Sequence, residues 1–224
     1  RARASAAGSP GVFGTAGSGT IHLTTTGAGD IALTDSLQTT HGGLASTVAA
    51  ILLESGGDIL VGTATSSAVN LTSLGSGAIV LDATGDLNLK VNDSGNSSLA
   101  SSITSAGNLQ LTAGSTILHN DGNALALVVG GGQASFVAGG TISAGNTLSA
   151  PSGLAATFTA GGTTTVGTVT ATSGNLSLQA GAGSLRTEGT ISAGAGRITL
   201  GAAGASSDLE ILADVLATNT GLAA

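Results

Sequence analysis

Cysteine, methionine, tryptophan and tyrosine are absent from this 224-residue chain, and phenylalanine occurs only three times. The lack of cysteine excludes a disulfide framework, and it is compatible with export across a bacterial envelope, where premature disulfides would hinder an unfolded chain. With so few bulky side chains, an ordinary globular core would be thin. A fold that stacks many small layers suits this composition better.

Charge is equally scarce, since charged residues make up 8% of the chain against roughly 25% in an average domain. The net charge is −7 and there are five basic residues. These are scattered along the chain at Arg1, Arg3, Lys90, Arg186 and Arg197. Because a phosphate-binding surface needs clustered cations, we exclude nucleic acid as a partner.

Long hydrophobic runs are missing too. Runs such as 48–53 reach only six residues, whereas a membrane-spanning helix needs about 20, so no membrane span is predicted. The first five residues, Arg-Ala-Arg-Ala-Ser, precede no apolar stretch, so no signal peptide is predicted either. We interpret the chain as a mature protein or an excised fragment.

Glycine is abundant, with 38 residues, and it punctuates a repeated unit of the form apolar-x-apolar-x-Ala-Gly. The unit occurs at 109–114, 134–139, 156–161 and 176–181, and with a weaker end at 198–203. Its second apolar residues are Leu111, Phe136, Phe158, Leu178 and Leu200, at steps of 25, 22, 20 and 22 residues. Strict alternation within each unit predicts β-strand rather than helix.

Upstream, a Gly-Asp-apolar-x-apolar unit recurs at steps of 28 residues, at 29–33, 57–61 and 85–89. We interpret its last residues, Leu33, Val61 and Leu89, as earlier members of the same series, which gives eight markers in all. The glycine before each strand is expected to supply the unusual backbone angles of a corner.

Two further short strands are predicted in each repeat. One follows the marker, at 116–117, 141–142, 165–166 and 184–185, and another precedes the next marker, at 79–81, Ile103 and Ile191. Three strands and three corners per 20–28 residues predict an all-β fold, a right-handed parallel β-helix (solenoid) of about eight coils. At about 4.8 Å per coil the rod would be roughly 40 Å long.

Side-chain volumes support stacking in register. Where the marker is Phe136 or Phe158, the residue two positions earlier is Ala134 or Ala156, whereas leucine markers follow leucine or isoleucine. A core of constant width requires this compensation. It predicts one buried column with the two phenylalanine rings stacked, containing Leu89, Leu111, Phe136, Phe158, Leu178 and Leu200.

The chain divides into a Gly/Ala/Ser-rich linker or leader (1–18), the repeat region (19–218) and a short tail (219–224). Residues 44–54 fit either a short helix or a strand; we favour strand because Ile51 and Leu53 fall where a third strand is expected. The stretch 209–217 still alternates without a capping segment. The last coil is therefore predicted to be open and to continue into more repeats or another subunit.

The iterated Gly-[Asp/Asn]-[Ile/Leu]-x-Leu…Ala-Gly…Thr-Ile unit resembles the repeats of filamentous haemagglutinin-like exoproteins, the very large adhesins of bacterial two-partner secretion. Autotransporter passenger domains share this style of repeat, and the resemblance covers roughly residues 19–212. It implies a secreted, cell-surface β-helix that projects from the bacterium and contacts a host or neighbouring-cell receptor or glycan. Nothing here is similar to that family's N-terminal secretion domain, which implies an interior segment.

Three aspartates, Asp30, Asp58 and Asp86, occupy one position of the repeat, and we expect Asn108, Gln133 and Asn175 to continue their column. The favoured interpretation is that they cap corners by accepting backbone N–H groups. The alternative is a cation ladder, because stacked carboxylates about 5 Å apart repel by roughly 0.8 kcal/mol in water and bound calcium would relieve this.

No catalytic constellation is recognised, and neither a metal nor another cofactor is predicted. His22, His41 and His119 lack a metal-binding spacing and are expected to face solvent. Glu54, Glu188 and Glu210 do not pair with an aspartate in one coil. Threonine-rich patches at 24–26 and 163–165 are read as strand formers rather than an ice-binding array.

The function expected from the sequence is therefore a structural shaft segment, not an enzyme, with end-to-end self-association as a further expectation. The alternatives are a polysaccharide-acting β-helix enzyme and a ligand- or ice-binding solenoid.

Overall fold

The chain folds into stacked parallel strands, as seen in a computed structural model. The structure describes residues 19–62, 69–89, 101–118, 125–129, 133–143, 148–149, 155–171 and 174–218. These residues form 24 strands and no helix. The predicted linker 1–18 and tail 219–224, together with Lys90 and His119, lie outside the described residues.

Every strand pairs with its neighbours in parallel, and each neighbour is three strands away in sequence along most of the rod. One strand for each side of the rod makes a coil, and eight coils are present. The first sheet consists of β1 (Ile21–Thr24), β4 (Ala49–Ser55), β7 (Ala78–Ala83), β10 (Leu109–Ala113), β13 (Gln133–Ala138), β16 (Ala155–Ala160), β19 (Leu176–Ala180) and β22 (Ile198–Ala202).

The second sheet consists of β2 (Ile31–Leu33), β5 (Ile59–Val61), β8 (Leu87–Asn88), β11 (Ile117–Leu118), β14 (Ile142–Ser143), β17 (Thr164–Val166), β20 (Leu185–Thr187) and β23 (Leu209–Ile211). The third side carries a five-stranded sheet of β3 (Leu37–Thr39), β6 (Asn70–Ser73), β9 (Ser101–Ser105), β12 (Leu125–Val129) and β15 (Leu148–Ser149). A three-stranded sheet of β18 (Val169–Ala171), β21 (Ile191–Ala193) and β24 (Val215–Ala217) completes it. The prediction of an all-β parallel β-helix is confirmed.

The main buried column lies in the first sheet. Successive register partners in it are Leu23, Leu53, Leu81, Leu111, Phe136, Phe158, Leu178 and Leu200. The predicted column is confirmed from Leu111 onward, with Leu200 only partly buried.

The prediction is wrong for Leu89, which is buried in the second sheet, where its N–H donates to the Leu118 carbonyl at 2.9 Å. The Gly-Asp unit of the first three coils forms second strands, not first strands. The first strand of the third coil is 78–83, which includes the segment 79–81 that was expected to be a third strand.

The two phenylalanines stack as predicted. Their ring centroids are 4.3 Å apart and the planes differ by 2°. Ala134 and Ala156 are register partners beside them, and these alanines are flanked in the column by Leu109 and Leu176. Large and small side chains therefore alternate within a layer, which keeps the width of the core constant.

The segment 44–54 is strand where its structure is regular, because β4 begins at Ala49. The Val48 N–H donates to the Ala45 carbonyl at 2.9 Å in the preceding turn. A register shift between Ala49 and Ile51 leaves both Ala50 and Ile51 buried. The strand prediction is confirmed, although the strand belongs to the first sheet of its coil and not to the third.

Corner glycines serve close approach more than unusual backbone angles. Among the described glycines, positive φ occurs only at Gly27, Gly43 and Gly62. A Cβ placed on Gly139 would lie 2.1 Å from the Gly114 carbonyl oxygen of the preceding coil, and one on Gly161 would lie 2.1 Å from that of Gly139. The expectation of unusual angles is therefore wrong at most corners, where the coils simply stack too tightly for a side chain.

The two ends of the described rod differ. Inward side chains of the first coil are buried, Leu33 and Leu37 fully so. Leu209, Ile211 and Val215 occupy the inward columns of the last coil, as partners of Leu185, Thr187 and Ile191. They are 48%, 46% and 39% exposed, so the last described coil presents an open apolar edge.

Candidate functional site

The aspartate column is the most regular polar feature of the rod. The Oδ1 atom of Asp30 accepts the Asp58 N–H at 2.8 Å, and the Oδ1 of Asp58 accepts the Asp86 N–H at 2.8 Å. The Oδ1 of Asp86 accepts the Thr116 N–H at 3.0 Å. Each carboxylate thus caps the corner of the following coil, which is the geometry of the favoured interpretation.

The column does not continue through the three amides that the sequence suggested. Asn108 accepts the Gln133 N–H at 3.0 Å and Asn175 accepts the Arg197 N–H at 2.8 Å, both at the corner before the first strand. The aspartates lie at the corner before the second strand. The prediction that these amides continue the aspartate column is therefore wrong. It treated residues before the first strand and residues before the second strand of a coil as one repeated position.

A cation ladder has little support among these groups. One oxygen of each aspartate already accepts a backbone N–H, which leaves fewer carboxylate lone pairs per coil for a cation. No group of three or more metal-ligating side chains comes together within the described residues. Calcium usually takes six to eight oxygen ligands, so the column is better suited to capping than to coordination.

A second cluster lies on the outer face of the first sheet. The His22 Nε2 is 2.7 Å from Glu54 Oε2 and 2.8 Å from Thr24 Oγ1. The side chains of His22 and Glu54 are 54% and 44% exposed, so the ring faces solvent as expected. Because the hydroxyl and the carboxylate both contact the same ring nitrogen, the three groups lack the relay of a nucleophile–histidine–acid triad.

Beside this cluster is a shallow groove of about 220 Å³, lined by Thr25, Glu54, Ser55, Gly56, Asp82 and Thr84. Glu54 and Asp82 are direct register partners on β4 and β7 and face outward together. Sequence reasoning missed this pair because the two residues are 28 positions apart. Once the first-sheet register is known, both are found as the residue after the column leucine.

A third charged group lies near the other end of the rod. Arg186 donates to Glu188 Oε1 at 2.9 Å and to Glu210 Oε2 at 2.7 Å. The hydrogen bond to Glu188 raises the pKa of Arg186 above its usual range, and the charge of Glu210 adds to this. The network occupies an exposed face, so it ties the last two coils together only weakly.

Between these groups the outer face of the first sheet carries no charge. From β10 to β22 its described outward side chains are Gln110, Thr112, Gln133, Ser135, Val137, Thr157, Thr159, Ser177, Gln179 and Thr199. Each first strand presents two main outward positions, such as Gln110 and Thr112, and threonine does not recur in every coil at either of them. Thr164, in the second sheet, is buried. The strand-forming role of threonine therefore fits this face better than a regular ice-binding array.

Several buried polar atoms were not foreseen. Atoms without a hydrogen-bond partner within the described residues are His41 Nδ1, Ser76 Oγ, Thr187 Oγ1 and Ser207 Oγ. His41 is half-buried rather than solvent-facing as expected. Other buried hydroxyls are satisfied: Ser73 and Ser105 donate to the carbonyls of Gly77 and Asn108 at 2.9 and 2.7 Å.

The part of the chain that the structure describes holds no helix long and apolar enough to cross a membrane. A scan against models of protein families, a search of curated proteins and a search of solved structures each found no match to this chain.

Proposed function

We propose that this chain is a structural shaft segment of a secreted, bacterial cell-surface adhesin-like repeat protein. The observation that carries the proposal is the unbroken stack: one aliphatic or aromatic column runs in register through all eight coils. Such a rod holds what lies at its two ends at a fixed separation. Secretion and the surface location follow from the resemblance of the repeats and from the cysteine-free composition.

A rigid rod predicts a fixed distance between its first and last coils. His22 and Thr199 lie in one outward column, seven coils apart, and the cysteine-free chain permits spin labels at both through His22→Cys and Thr199→Cys. Electron–electron double resonance should give one narrow distribution at about 34 Å. A broad distribution, or one that narrows only when a glycan is added, would contradict a shaft.

A second candidate is an enzyme acting on polysaccharide, favoured by the adjacent carboxylates of Glu54 and Asp82 in a groove. Glycoside hydrolysis uses two carboxylates flanking the bond. Glu54 is, however, already engaged by His22. Reducing-sugar release from a panel of polysaccharides tests this: turnover that disappears in Glu54→Gln and Asp82→Asn, but persists in Asp35→Asn, would establish the enzyme and displace the shaft.

A further inference from the structure

The first coil is covered on its outer side, although no described strand lies beyond it. Its strands β1, β2 and β3 each stand at the end of a sheet and pair only with a strand of the second coil. Ile31 is nevertheless only 5% exposed, and Leu33 is fully buried. Inward side chains of a terminal coil are buried to this degree only when something packs on their free side.

The last described coil shows how such side chains look when they are uncovered. Ile31 and Leu209 are the first and last members of one inward column of the second sheet. Each has a single described coil as its neighbour, yet they are 5% and 48% exposed. We infer that residues of this chain outside the described ranges cover the first coil.

The chain enters the first coil at a point from which the preceding segment can reach across it. Thr39, at the end of β3, is fully buried, and its Oγ1 donates a hydrogen bond to the Gly19 carbonyl. Residues 1–18 therefore begin at the rim of this coil. Residues 12–18 alone can span about 23 Å, whereas the strand β1 extends over about 13 Å.

The composition of residues 1–18 suits a cover. Val12 and Phe13 supply apolar surface, and most other residues are glycine, alanine or serine, which can lie close to a neighbouring backbone. The segment 63–68, attached to the second coil, is Thr-Ala-Thr-Ser-Ser-Ala and has no large apolar side chain. The segment 90–100 is attached to the third coil and would have to pass the second coil first.

We propose that residues 1–18 fold across the first coil and close this end of the rod, with Val12 and Phe13 packed on its inward side chains. The predicted linker thereby becomes part of the fold. Solenoids need such covers because bare strand edges and apolar side chains otherwise recruit another chain. A covered first coil cannot stack on a second copy unless the segment moves away. The closure does not depend on the shaft function, since a rod of any function has this first coil.

Phenylalanine provides the direct test, because the chain has three and the other two, Phe136 and Phe158, are buried in the core. The 224-residue chain is labelled with 4-fluorophenylalanine, and the Phe13 resonance is assigned through Phe13→Leu. A soluble gadolinium chelate should relax the Phe13 fluorine several-fold less than that of free 4-fluorophenylalanine. In a sample that begins at Arg1 this protection comes from the chain's own residues. Relaxation equal to that of the free amino acid would overturn the proposal.

Amide hydrogen exchange then locates the cover. Phe13→Ser should raise exchange at 21–39 by about tenfold and leave 133–138 unchanged, which verifies that the rod itself persists. Leu99→Ser, a similar change in the segment 90–100, is the matched control and should not alter exchange at 21–39. Unchanged exchange at 21–39 in Phe13→Ser, or an equal rise in Leu99→Ser, would overturn the proposal. Protection of 21–39 that grows with protein concentration would also overturn it, in favour of a second copy.

Discussion

At the scale of single residues, the corners of this rod are built from side-chain oxygens that replace water as partners of the backbone. A buried donor or acceptor that loses its partner costs about 1–3 kcal/mol, so each such oxygen has a measurable role. The same reasoning identifies buried hydroxyls that have no hydrogen-bond partner and therefore lower the stability of the fold.

Thr187 is the clearest case of a costly hydroxyl. Its side chain is fully buried, between Val166 and Ile211 in the column, and its Oγ1 has no partner among the described residues. Thr187→Val should raise the free energy of unfolding by about 1 kcal/mol, measured by urea denaturation. Thr164→Val is the control and should lower it by a similar amount, since Thr164 donates to the Gln179 carbonyl at 2.8 Å. A destabilised Thr187→Val variant would contradict the assignment.

Asp58, unlike Thr187, is expected to stabilise the fold, because its Oδ1 accepts the Asp86 N–H. Asp58→Ala should lower the free energy of unfolding by about 1 kcal/mol, as at other capping positions. Asp58→Asn should lower it much less, because the asparagine oxygen can still accept the Asp86 N–H. Asp82→Ala serves as the control, since Asp82 is exposed and makes no hydrogen bond to described residues. Equal losses in the alanine and asparagine variants would show that the charge matters and not the hydrogen bond.

Calcium provides an independent check on the same column. With one oxygen of each aspartate occupied by an N–H, we expect calorimetric titration of the chain with calcium to show no binding in the micromolar range or tighter. Micromolar binding that is lost in Asp58→Asn would establish the cation ladder instead.

At the scale of the strands and their corners, several of the closest approaches between successive coils lie at glycines. Gly139→Ala would place a methyl group 2.1 Å from the Gly114 carbonyl oxygen. This clash can be relieved only if the backbones of the two coils move apart. We expect a loss of more than about 2 kcal/mol in the free energy of unfolding. Gly42→Ala is the control, because nothing lies within 4 Å of its added Cβ. A similar loss of stability in this variant would show that the loss comes from the backbone conformation of glycine and not from a clash with the neighbouring coil.

The first strands show which part of the fold could be predicted from the sequence. From Leu111 onward each first strand ends in Ala-Gly, or nearly so at Leu200, and this punctuation allowed the column to be predicted residue by residue. In the first three coils the equivalent pairs are Thr25-Thr26, Ser55-Gly56 and Ala83-Thr84, so none is Ala-Gly, while the conspicuous Gly-Asp precedes the second strands. Pattern alone therefore aligned Leu89 with the wrong sheet.

The acidic groove was missed for the same reason. The neighbours of Glu54 are residues 28 and 32 positions away, Asp82 and His22, and such neighbours are found only when the register of each coil is known. The apolar column could be inferred because buried side chains must alternate. Outward residues obey no such constraint, so their contacts needed the structure.

At the scale of the whole molecule, each coil is stabilised mainly by the coils on either side of it. The described end coil has a neighbour on one side only, and its second and third strands are exposed throughout. Among the described residues, amide hydrogen exchange should therefore be fastest in 209–217 and slowest in the first-sheet strands of the two central coils, 109–113 and 133–138. Uniform exchange along the rod would contradict this gradient.

The direction of the hydrogen bonds has a mechanical consequence. Because all bonds between coils run along the axis of the rod, tension applied at the two ends loads them one coil at a time, as in peeling rather than shearing. The column residues Leu23, Leu53, Leu81 and Leu111 are 28–30 positions apart, whereas those from Phe136 to Leu200 are 20–22 apart. Each peeled coil releases its own contour length, so a force–extension trace would contain steps of about 100 Å from the first coils and about 70 Å from the last.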